Sequence, residues 1–124
     1  MSKPTHILFL FLIFCTSVFS QQYSNYFSDK ACRIDFQLNG NAKSTTATLS
    51  KIIQEPFWGG RRLHLTDDMN LGEYRLQVLD SVSNTLIYAE GFSTLYFEWQ
   101  TTPEASLVNK SFEQSVQFPY PQKR

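Results

Sequence analysis

The side chains of this 124-residue chain that are equipped for chemistry are few and scattered. There are two histidines, His6 and His64, and no His-Glu-x-x-His stretch. A catalytic zinc takes three protein ligands, usually including two histidines, and leaves a fourth position open. His64 has only Asp67 and Asp68 beside it as oxygen donors, so it reads as an ordinary strand-edge side chain. Asp67 and Asp68 are adjacent, and adjacent residues of an extended chain point to opposite faces, so they make a solvated turn rather than an acid–base pair. A Gly-x-Ser-x-Gly elbow is absent, and no motif couples Cys32 to His64 as nucleophile and base. Gly59-Gly60 lacks the further glycine or lysine that a phosphate loop requires. The chain is expected to be no enzyme and to hold no catalytic residue, metal or cofactor.

One segment has the character of a recognition surface, Phe57-Trp58-Gly59-Gly60-Arg61-Arg62. Two glycines free the backbone to bend, and tryptophan and arginine are enriched at binding hot spots. Trp58, Arg61 and Arg62 are therefore candidate interaction residues, against the plainer reading of a core tryptophan covered by arginine stems. The stretches Phe92–Trp99 and Phe112–Tyr120 carry more large apolar residues than a small sandwich needs. Some of Tyr96, Phe97, Trp99, Phe118 and Tyr120 are accordingly expected to lie on one exposed or half-exposed patch near the C-terminal end.

The elements that would position these residues are mostly strands. Lys3 followed by the apolar run Ile7–Phe14, with Val18 and Ser20 before Gln21, has the pattern of a secretory signal peptide. Residues 1–20 are expected to be removed near Ser20, placing the mature chain outside the cell, in the periplasm or at the cell surface. The apolar run is too short for a spanning helix. Cys15 could carry a lipid only with a small residue before it, and Phe14 is large. Without Lys3, ten basic residues face eleven acidic ones, singly scattered, which excludes a nucleic-acid footprint or a polybasic membrane patch.

From Gln21 onward the chain is long enough for one core. Cys32, Ile34, Phe36 and Leu38 alternate with Arg33, Asp35 and Gln37, a strand with one apolar face. Cys32, the one cysteine left after cleavage, falls on that inward face and reads as a small hydrophobe. Asn39-Gly40-Asn41 turns the chain toward a threonine-rich strand at 43–49. A short strand is expected over Arg61–Leu65. Tyr74–Leu79 and Thr85–Ala89 form a hairpin around Asp80–Asn84, Gly91 breaks the pattern, and Phe92–Trp99 continues as strand. Thr101 with Glu104 makes a capping box that predicts one short helix near residues 103–109. Phe112–Phe118 is the last strand before Pro119-Tyr120-Pro121. The fold class is all-β, an antiparallel sandwich of jelly-roll or Ig-like type, occupying 21–121, with a linker or tail starting over 122–124.

Several blocks then resemble a known family. Tyr26–Lys30 with Arg33–Phe36, Pro56–Arg62, Ile87-Tyr88 with Gly91–Leu95, Glu98–Ala105, Ser111–Glu113 and Phe118–Pro121 stand in order. Together they resemble the N-terminal domain of bacterial IgA-peptidase-like zinc metallopeptidases, metallopeptidase family sixty-four. In that family proteolysis belongs to a downstream domain bearing a His-Glu-x-x-His helix, and none of its zinc ligands has a counterpart here. The resemblance implies a non-catalytic accessory module whose partner is a peptidase catalytic domain, in cis or in trans. A free-standing sandwich that binds carbohydrate or a surface protein through aromatics around Trp58 is the alternative.

Overall fold

The computed structural model describes residues 23–122. The expected signal peptide over residues 1–20 lies outside the described residues, as does most of the expected tail over 122–124. A single helical turn, α1 (Tyr23–Tyr26), leads into β1 (Phe27–Asn41), which contains the alternating Cys32–Leu38 run and extends it both ways. Asn41 closes the first turn by accepting from the Lys43 amide at 2.9 Å and the Ser44 hydroxyl at 3.2 Å. Threonines then favour extended backbone, and β2 (Ser44–Glu55) runs on through Lys51 to stop before Pro56. Antiparallel pairing sets Cys32 opposite Gln54 and Ile34 opposite Ile52. A shift at Asp35/Phe36 leaves Ser50 as an extra residue in a bulge.

Residues 56–73 are largely irregular, and the short strand expected over Arg61–Leu65 does not form. His64 sits at φ 51°, in the left-handed region, which interrupts an extended run. The chain instead makes one parallel bridge to Ala89 by two backbone bonds, Ala89 N–H to Leu65 O at 2.9 Å and Asp67 N–H to Ala89 O at 3.0 Å. The hairpin β3 (Tyr74–Leu79) and β4 (Leu86–Phe92) forms a second sheet. Its turn is held by Asp80, whose carboxylate accepts from the Ser83 amide, and by Asn84 at φ 57°. Gly91 does not end the strand. It stays within β4 because a Cβ there would lie 1.9 Å from Leu71 O, so the glycine admits the neighbouring loop.

Two expectations are corrected between Phe92 and Lys110. The aromatic run continues not as strand but as α2 (Leu95–Gln100). Thr94, extended at φ −133°, caps it by accepting the Phe97 amide at 3.1 Å, and Tyr96 and Trp99 share the buried face three residues apart. The helix expected over 103–109 is only a 3₁₀ turn, Pro103–Ser106. Its capping box is not made, because Glu104 turns to the Trp99 indole N–H at 2.8 Å and the Lys110 ammonium at 2.7 Å. The Thr101 and Thr102 hydroxyls donate back to Glu98 O and Trp99 O.

β5 (Lys110–Pro121) returns antiparallel along β1, with Leu38 opposite Phe112, Ile34 opposite Val116 and Cys32 opposite Phe118. Pro119 and Pro121 are tolerated inside it because β5 is an edge strand and loses no ladder donor on its free side. The sheets β2–β1–β5 and β3–β4 make an all-β sandwich, with three strands facing two. That is fewer than the roughly seven or eight strands of an Ig or jelly-roll sandwich. The inner layer splits into two aromatic cores. One gathers Phe27, Cys32, Trp58, Leu65, Tyr88 and Phe118, and the other gathers Leu38, Tyr96, Trp99 and Ala105.

Candidate functional site

The segment after Pro56 is fastened to the sandwich by its own polar groups. Trp58 donates its backbone N–H to Asp29 O at 2.8 Å, and its indole N–H reaches Arg61 O at 3.0 Å. Its ring meets Tyr88 edge-on at 6.1 Å and is 9% exposed. Gly60 packs flat beneath it, where a Cβ would come within 2.2 Å of the indole. Arg61 lies over the Tyr88 ring at 5.1 Å and donates to the carbonyls of Leu65 and Ala89. Arg62 pairs with Asp29 and covers the Tyr23 ring at 5.0 Å. All three candidates of this segment thus make contacts within the molecule, although Arg62 is exposed, and Phe57, 81% exposed, is the large apolar side chain that the segment leaves in water.

The five aromatics from which a shared patch was expected are distributed over both cores and the surface. Tyr96 and Trp99 are buried in the Leu38 core, and Phe97 on the same helix is exposed. Phe118 is buried in the Tyr88 core and Tyr120 is half-buried against it. The reason is α2: a helical Leu95–Gln100 turns Tyr96 and Trp99 inward together, where a strand would have alternated them.

Two of the concavities among the described residues adjoin these side chains. The first is a groove of about 470 Å³ where β5 ends, lined by Cys32, Ile52, Val82, Phe118, Tyr120 and Pro121, with Gln122 at its lip. Ile52 and Val82 are largely exposed there, because the two-stranded sheet is too short to roof the full length of β2. Gln122 is fixed at the lip by its backbone N–H on Tyr26 O at 2.8 Å and its amide on Phe27 O at 2.9 Å. Burial pushes the Cys32 thiol above its ordinary pKa, which keeps it protonated and unreactive.

The second is an open cleft of about 600 Å³ between the sheets, bounded by Trp58–Gly60, by Leu76, Glu90 and Phe92, and by Gln114–Gln117 of β5. Leu76 pairs with Glu90 and Val78 with Tyr88, so Glu90 shares the inward face of β4 with Tyr88. Gln114 pairs with Phe36 and shares the inward face of β5 with Val116. Tyr88 donates its hydroxyl to the Glu90 carboxylate at 2.7 Å. Burial first, and the adjoining carboxylate second, hold that phenol neutral far above its ordinary range. Sequence reasoning overlooked Glu90 and Gln114. The available signal was a polar residue at an inward position of an apolar alternation, in Tyr88-x-Glu90-x-Phe92 and Phe112-x-Gln114-x-Val116.

Among the described residues no three His, Cys, Asp or Glu side chains gather where they could share a metal ion. No described helix is long and apolar enough to cross a membrane. No curated protein matches the chain. A family model described as the peptidase M64 N-terminus does, over residues 22–124, which spans both cores, the cleft and the groove. The chain belongs to that family, as its N-terminal domain.

Proposed function

We propose that this domain is a non-catalytic accessory module of an exported zinc metallopeptidase, serving to dock and position the catalytic domain. The family match carries the reading, since it concerns the N-terminal part of an M64 peptidase and extends over residues 22–124. His64, the single histidine left once residues 1–20 are removed, and the missing His-Glu-x-x-His motif support a division of labour in which proteolysis lies elsewhere. Export is supported by Lys3 and the Ile7–Phe14 run, followed by a match that opens just after the expected cut at Ser20.

The docking surface we favour is the groove at the end of β5. Most of its lining is apolar, with Asp80, Ser81 and Gln122 as its polar members, and a domain joined after Gln122 starts at its lip. Tethering through a few residues gives an effective concentration in the millimolar range, so a modest contact is enough to hold two domains together. The carbohydrate alternative would use an exposed row of aromatics around Trp58, and that ring is buried with its N–H already engaged.

The reading is tested by producing the chain in cis with an M64 catalytic domain and comparing Val82→Asp and Ile52→Asp with the parent. The expected outcome is a catalytic domain that melts several degrees higher when joined to the parent module, with the gain lost in both variants. Identical melting of the free, parent-joined and variant-joined catalytic domains would overturn it.

A further inference from the structure

We propose that the inter-sheet cleft is a binding site for an extended peptide segment, which adds to the free edge of β5 and places a lysine or arginine against Glu90. The cleft touches Gln114, Ser115, Val116 and Gln117 consecutively. Successive side chains of a strand point to opposite faces, so a cavity that meets all four runs along the strand edge. Among the described residues β5 pairs only with β1, and its other edge offers backbone donors and acceptors that no described strand takes. A peptide backbone is the ligand that matches such a row, and pockets for alternate side chains then set its specificity.

The specificity groups stand at inward positions where a closed sandwich would place apolar residues. Glu90 is exposed although its side of β4 faces the opposite sheet, because the cleft opens there. Tyr88 fixes one oxygen of the carboxylate, Oε2, at 2.7 Å and leaves the other free. Among the described residues no lysine or arginine forms an ion pair with Glu90. A cationic side chain from a ligand would supply the missing partner through a charge-assisted hydrogen bond. Gln114 on the facing strand brings a side-chain amide to the cleft, and Trp58 with Phe92 makes part of its walls apolar. A strand with small apolar residues two before and two after its cation fits this layout. This site is separate from the groove at the end of β5, and either can fail without the other.

The test is a titration of the isotope-labelled chain with acetyl-Thr-Val-Ser-Lys-Ser-Val-Thr-amide, followed by backbone amide shifts. Saturable shifts are expected at Gln114–Gln117, Glu90 and the Trp58 indole. Glu90→Gln, or glutamate in place of the probe's lysine, should weaken binding at least tenfold. The probe change needs no altered protein, so the proposal stays testable if the variant folds poorly. Absence of saturable shifts up to millimolar probe, or binding within twofold for the glutamate probe, would overturn it. Shifts at these residues with cellohexaose and none with the peptide would overturn it in favour of a sugar site.

Discussion

The two aromatic cores of this sandwich are built in different ways. The Tyr88 core draws on distant segments: Phe27 and Cys32 from β1, Trp58 and Leu65 from the loop, Tyr88 from β4, and Phe118 from β5. The Tyr96 core takes three of its four buried members, Tyr96, Trp99 and Ala105, from one short segment seated on Leu38. That segment is pinned by local bonds and a few clasps, including Ala42 N–H to Ala105 O at 2.8 Å and the Gln100 amide to Asn41 O at 2.8 Å. One end of the domain therefore depends on the whole topology, whereas the other is a plug that the sheet receives. Cooperative units of unequal stability are the expected consequence.

The largest test of that contrast is a pair of truncations. Tyr88→Ala and Tyr96→Ala each remove a ring that is at most 1% exposed, at about 3–5 kcal/mol as for other buried aromatics. Urea unfolding of Tyr88→Ala should show loss throughout, because the ring joins several segments. In Tyr96→Ala, amide exchange should accelerate first over residues 94–106, with the Tyr88 end still protected. Equal exchange along the chain in both variants would erase the distinction.

Gly40→Ala should follow, at about 1–3 kcal/mol for a strained backbone. Its φ is 145°, and a Cβ would meet Ser44 O at 2.1 Å and the Tyr96 hydroxyl at 2.7 Å. The loss should appear at the Tyr96 end, since the Tyr96 hydroxyl donates to Ser44 O. Thr94→Ala removes the cap of α2 and should cost about 1 kcal/mol. Circular dichroism and exchange at Phe97 would report it.

The smallest expected effect is one of pH. Hydrogen bonds from Lys110 and then Trp99 hold the Glu104 carboxyl below its ordinary pKa. The unfolded chain therefore takes up the proton first as pH falls, and the stabilisation is present at neutral pH and lost on acidification. The thermal midpoint should decline below about pH 5, where unfolded carboxylates begin to protonate. Glu104→Gln should flatten part of that decline, with Trp99 fluorescence following the same curve.

What could be read in advance follows the same division. β1, the hairpin of β3 and β4, and β5 announce themselves by period-two alternation, because each has one face on the core. Cys32 was placed correctly for that reason. Leu95–Gln100 was misread because its aromatic content suits a strand, while the helical evidence is only one turn long: a Thr94 cap and the spacing of Tyr96 and Trp99. The capping box at Thr101 was formally present but lost to a tertiary competitor, since Glu104 finds the Trp99 indole and Lys110 instead. The groove and the cleft were illegible for a different reason. They arise where a short two-stranded sheet fails to cover a longer one, a mismatch that no local pattern encodes.

Docking of a peptidase domain in the groove at the end of β5 is the central proposal. Titrating the isotope-labelled chain with a separately produced M64 catalytic domain tests this directly. Shifts and line broadening are expected to centre on Ile52, Val82, Tyr120 and Gln122 and to be abolished by Val82→Asp, with the Tyr96 end unchanged. Unperturbed groove residues at near-millimolar catalytic domain, or perturbation confined to other faces, would contradict it.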